Sequence, residues 1–130
     1  MINRKSIKAI ENIITNINEL DIMTKDRNDL YFYDSYEMPV LCDLVSNIEK
    51  NLSNISLKIK KKYKNVNWNI IKEQYNEFDE LKVGKIWILS SGLLKGELLS
   101  KLERILSVEL PIYYTNYCNK QHEKYLKKDL

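Results

Sequence analysis

At 130 residues, with 44% hydrophobic and 30% charged side chains, the chain has the size and composition of one globular domain. Its three glycines and two prolines are too few for a turn-rich all-β fold. A net charge of +3 is too small to mark a nucleic-acid protein by charge alone. Two cysteines without CxxC spacing and a single histidine argue against a structural zinc site and point to reduced thiols. No leader opens the chain, and no apolar run nears the roughly 20 residues of a membrane span, so a cytoplasmic protein with no membrane partner is expected.

Ile7, Ile10, Ile14, Ile17 and Leu20 recur at helical spacing over residues 4–20, with Lys5, Lys8, Glu11 and Asn12 opposite, and predict a first amphipathic helix. Residues 21–36 lose the period and hold Asp26, Asn28, Asp29, Asp34 and Ser35, which favour turns. The Tyr31-Phe32-Tyr33 cluster inside this connector is read as a flap over the end of the core. Pro39 suits the first turn of a second helix, where its missing amide is no loss. Leu41, Leu44, Val45, Ile48, Leu52, Ile55 and Ile59 then hold one face without interruption to about Tyr63. That helix is expected to end in Lys58, Lys60, Lys61, Lys62 and Lys64. Cations there complement the negative end of the helix dipole by ~0.3–1 kcal/mol each; an RNA-phosphate patch is the sharper alternative.

Trp68, Ile71, Tyr75 and Phe78 predict a short third helix, with Asn67 placed to accept from a first-turn amide. A fourth face runs through Val83, Ile86, Trp87, Ser90, Leu94, Leu98, Leu102 and Ile105. Gly84, Gly92 and Gly96 weaken it by ~1 kcal/mol apiece relative to alanine, so a kink or break is expected between Ser90 and Gly96. Gly92-x-x-x-Gly96 is read as a place where another helix comes close. Pro111 is expected to stop the fourth helix. The domain reading is a helical bundle over residues 1–110 and a tyrosine- and lysine-rich extension over 111–130 with room for a short fifth helix. The fold class is all-α, an antiparallel four- to five-helix bundle.

Few residues carry chemistry. Glu73, Glu77 and Glu80 share a helix face but read as solvated carboxylates rather than a metal site. Cys118 and His122 stand i, i+4 on the tail, yet nothing supplies an orienting third group or a glycine-built oxyanion site. Nucleophilic serine motifs and phosphate-binding glycine loops are missing, and no cofactor is implied. Tyr113, Tyr114 and Tyr117 are candidate contacts for a partner protein, with stacking on single-stranded bases as the alternative.

The run from Pro39-Val40-Leu41 through Ile48-Glu49, Asn51-Leu52-Ser53, Lys62-Tyr63 and Val66-x-Trp68 resembles the HEPN superfamily, in particular its HepT-like branch. The likeness continues through Ile71, Asn76, Ile86-Trp87, Leu94-Lys95-Gly96-Glu97-Leu98 and Ile105-Leu106, covering residues 4–107. Proteins of that branch are small helical bundles, many of them RNase toxins paired with a nucleotidyltransferase antitoxin. The resemblance implies a HEPN-like bundle and a homodimer that brings two copies of the helix after Trp68 together. The family's site pairs an arginine with a later histidine, suited to neutralise a phosphate and shuttle protons. Here the arginine position falls on Tyr75 and the histidine position on or near Glu80, with Asn76 the one polar neighbour kept. The expectation is therefore a non-enzymatic binding or regulatory protein, like an inactive HepT-type toxin–antitoxin component, acting on a protein partner or on RNA. The alternative is a phage- or plasmid-borne inhibitor or immunity protein that blocks a partner.

Overall fold

Asn3 opens the first helix: its side-chain oxygen accepts from the Ser6 amide at 2.7 Å and its carbonyl from Ile7, satisfying two first-turn donors. The computed structural model describes residues 2–24, 37–77 and 93–128, with 37–38, 74–77 and 127–128 described by backbone alone. Among these the regular structure is helical: α1 (Arg4–Thr24), α2 (Glu37–Ser53), α3 (Leu57–Lys62), α4 (Ile70–Glu77), a π-helical turn (Lys95–Leu99) and α5 (Ser100–Lys128). The Tyr31-Phe32-Tyr33 cluster and the start of the fourth face, Val83 to Ser90, lie outside the described residues.

Long-range bonds fix the directions. Asn12 on α1 donates to Asn51 near the end of α2, and Ser6 at the start of α1 accepts from Ser56 just beyond it, so α1 and α2 run antiparallel. Lys95 pairs with Asp21 at 2.6 Å, whereas Tyr113 and Tyr117 of α5 lie against Arg4 and Ile7. α5 therefore also runs antiparallel to α1. Because α1 packs against both α2 and α5, its buried arc is wider than one stripe. Ile13 is wholly buried beside Ile10, while Ile14 is half-buried and packs on the core edge. Each apolar side chain so removed from water contributes about 1.5–3 kcal/mol.

The second helix is two. All seven residues of its predicted face are buried, but α2 ends at Ser53 and α3 begins at Leu57. Ser56 caps α3, its hydroxyl accepting from Ile59, and its own amide is held by Ser6 on α1. The break thus exchanges helical hydrogen bonds for a cap and a tertiary bond, and the apolar spacing survives it. At the other end, Pro39 is the third residue of α2 and so lies in its first turn, as expected. Asn67 makes a local turn instead of a cap on α4. It accepts from Asn69, and its amide reaches Glu73 at 2.9 Å. Ile70 joins Ile71 in the core, and Trp68 packs half-buried against it, its indole N–H donating to the Tyr63 carbonyl.

Two expectations, one about α5 and one about the turn before it, are corrected. Pro111 lies inside the helix, which continues to Lys128. A mid-helix proline removes the bond to the carbonyl four residues earlier. Here that carbonyl belongs to Ser107, exposed like Pro111 itself, so water can satisfy it. Gly96 likewise does not admit a neighbouring helix: a side chain built there meets nothing within 4 Å. It sits in the π-helical turn, with open space where a side chain would be. Gly96→Ala is accordingly expected to raise stability by about 0.5–1 kcal/mol, read as a higher urea midpoint. A destabilised variant would mean that the wide turn depends on glycine.

Candidate functional site

The lysine run at the end of α3 is divided by its surroundings. Lys62 reaches α5 and donates to Glu109 Oε1 at 2.6 Å, and the Tyr63 hydroxyl donates to the same oxygen at 2.7 Å. Glu109 is 1% exposed, and its second oxygen has no hydrogen-bond partner among the described residues. Burial would push this carboxyl up; the Lys62 and Tyr63 hydrogen bonds overcome that and hold it below the ordinary range. The same contact, charge-assisted and short, raises Lys62. Tyr63 is raised by burial first and by Glu109 next.

Lys60 is half-buried, and Glu49 on α2 has its carboxyl raised by burial against the pull of Lys72 and, less, of Lys60. Glu49 lies 3.7 Å from Lys72, and its Oε2 is unpartnered among the described residues. Lys58, Lys61 and Lys64 are exposed without a carboxylate contact among the described residues, whereas Lys62 is exposed but paired. Lys101 adds a further tie, donating to the Asn65 carbonyl at 2.8 Å. The turn between α3 and α4 is thereby fastened to α5 through Lys62, Tyr63 and Asn65.

Tyr75 and Asn76 lie on α4, where only the backbone is described, and Glu80 lies outside the described residues. Cys118 and His122 are both exposed on α5. Cys42 is half-buried, and burial, aided by Asp43, raises its thiol, which makes it a poor nucleophile.

The three tyrosines behave differently: the structure brings them together. Tyr113, Tyr114 and Tyr117 line an open groove of about 380 Å³ between α5 and the first turns of α1. Exposed Arg4 and Lys8 form its rim, buried Ile7 its floor, and Glu11 is the one carboxylate among the described residues that line it. Tyr113 is half-buried and meets Tyr114 edge to face, with centroids 5.6 Å apart and planes at 73°. Tyr114 and Tyr117 are 58% and 51% exposed, well above what a buried ring shows. Sequence reasoning named these tyrosines but not their partners Arg4 and Lys8, which only the antiparallel register of α1 and α5 supplies. It also missed Glu109, although an acid in register with Leu98, Leu102 and Ile105 was a visible signal.

Comparison of the chain with protein-family models, with curated proteins and with solved structures finds no match. Among the described residues no three His, Cys, Asp or Glu side chains gather as a metal site, and no helix is long and apolar enough to cross a membrane.

Proposed function

We propose that this is a non-catalytic binding or regulatory protein, resembling an inactive HepT-type toxin–antitoxin component on a HEPN-like bundle, that acts by holding a partner protein. The observation that carries the reading is the groove between α1 and α5. Two exposed tyrosines and an arginine stand there over an apolar floor, and these are the side chains that most often dominate protein interfaces. A homodimer formed around α4 belongs to the same reading, as the family resemblance implies. RNA is the secondary partner, served by Lys58, Lys61 and Lys64.

Affinity capture from cells that carry the gene tests the main claim. The wild-type chain is expected to retain a protein in stoichiometric amount, and Tyr114→Ala/Tyr117→Ala to lose it. Equal retention by both, or retention of nothing, would remove the groove as the working surface. For RNA, Lys58→Glu/Lys61→Glu/Lys64→Glu is expected to weaken association and flatten its salt dependence. That set leaves Lys62 on Glu109, so a loss of binding would not be confused with a loss of fold. RNA is expected to emerge intact from incubation with the protein; turnover that scales with protein amount would overturn the non-catalytic assignment.

A further inference from the structure

α5 is longer than the bundle it belongs to. Its 29 residues span about 43 Å, against about 31 Å for the 21 residues of α1. In the antiparallel register set by Lys95–Asp21, Tyr113 and Tyr117 already lie opposite the first turns of α1. Every described side chain from Tyr117 to Leu126 is exposed. The last three turns of α5 therefore project past the end of α1. Tyr114, Tyr117, Gln121 and Tyr125 fall at i, i+3, i+7 and i+11, so the tyrosine stripe of the groove continues along this overhang.

We infer that this continuous face, from Arg4 and Lys8 through Tyr114 and Tyr117 to Tyr125, is the seat of an acidic amphipathic helix from the partner protein. The inference rests on the binding-protein reading and names the chemistry of its partner. Charge decides the occupant. The rim offers Arg4 and Lys8 against Glu11, and on the overhang exposed Lys124, seven residues after Tyr117, flanks the tyrosine stripe while Glu123 lies on the opposite side of the helix. A second copy of this chain laid along the same face would set lysine against lysine, whereas an acidic helix would neutralise them. The tyrosines decide between a polypeptide and a nucleic-acid strand. Stacking of successive bases needs open ring faces, but Tyr113 is half-buried and engaged edge to face by Tyr114. Rings at i, i+3 and i+11 along one helix face, beside buried Ile7, instead offer an apolar track against which a docked helix can set its own i, i+3 and i+7 anchors.

The test uses the full chain and three probes: a designed amphipathic helix with leucine on one face and glutamate elsewhere, its counterpart with lysine in place of glutamate, and oligouridine beside oligothymidine. The acidic peptide is expected to bind, to weaken with added salt, and to shield Cys118, exposed one turn from Tyr114, against alkylation. Arg4→Glu/Lys8→Glu and Tyr114→Ala/Tyr117→Ala should each weaken it by about tenfold or more. All four positions are exposed, and unchanged circular dichroism would show the fold kept. The inference is overturned by tighter binding of either oligonucleotide, by equal binding of the lysine peptide, or by no binding of the acidic one. Shielding of Cys118 through self-association, seen by sedimentation without peptide, overturns it as well. A captured protein that needs Tyr114 and Tyr117 would still sustain the binding-protein reading after any of these results, so the two fail separately.

Discussion

Ile48→Ala is expected to lower the unfolding free energy by about 2–5 kcal/mol, a large part of the roughly 5–15 kcal/mol that holds a domain of this kind together. Ile48 is fully buried on α2, the helix that packs against both α1 and α4. Truncation removes three carbons from water-free contact and leaves a space that the surrounding core closes only in part. The measurement is urea unfolding, with a shifted midpoint and an unchanged slope. Val40→Ala on the same helix is the control. Val40 is 39% exposed, and its truncation should stay within about 0.5 kcal/mol. Equal effects at the two positions would mean that α2 does not bury the face on which the bundle is built.

How much of this was legible beforehand depends on whether the determinant was local. The helical period gave the face of α2 and most of that of α1, because burial of one side of a helix leaves its mark every three or four residues. It could not give the break at 54–56. Leu52, Ile55 and Ile59 keep helical spacing across it, and the bond that makes the break tolerable comes from Ser6, at the far end of another helix. The passage of α5 through Pro111 escaped for a related reason: a proline is a poor helix residue on average, but an exposed one over a solvated carbonyl forfeits less. Tyr113, Tyr114 and Tyr117 were legible as a set, since three rings in five positions stand out. Their cationic rim was not, because Arg4 and Lys8 come from the opposite end of the chain. The five lysines show the converse. As a run they suggest five equivalent cations, and only the position of Glu109 shows that Lys62, though exposed, is tied to a carboxylate on α5.

Acidification is expected to unfold the protein through Glu109, and Glu109→Gln to flatten that response. The folded carboxyl lies below its ordinary value of 4.5 because the Lys62 and Tyr63 hydrogen bonds outweigh the burial that would raise it. A depressed carboxyl contributes stability that is present above 4.5 and is lost as pH falls through the folded value. Lys62 and Tyr63 carry the opposite sign. Both are raised, from 10.5 and 10.0, so their contribution is whole below those values and disappears as pH climbs through the folded ones. The cluster is thus intact through the neutral range, with an acid limb set by Glu109 and an alkaline limb set by its two donors. Glu49 opposes the acid limb: its carboxyl is raised by burial, so ionising it costs stability above 4.5 and protonation relieves the cost. Glu109→Gln should lower stability at neutral pH by about 1.5–3 kcal/mol, the range for a hydrogen bond to a charged group, and remove most of the fall on acidification. Glu49→Gln should steepen that fall. Lys62→Met separates charge from packing: it keeps the stem, leaves the buried Glu109 carboxylate with Tyr63 alone, and should cost stability at neutral pH that is partly recovered in acid. Urea unfolding of the four proteins across the acid range reads all of this. Parallel curves for wild type and Glu109→Gln would show that the short contact between α3 and α5 does not control the pH dependence of the bundle.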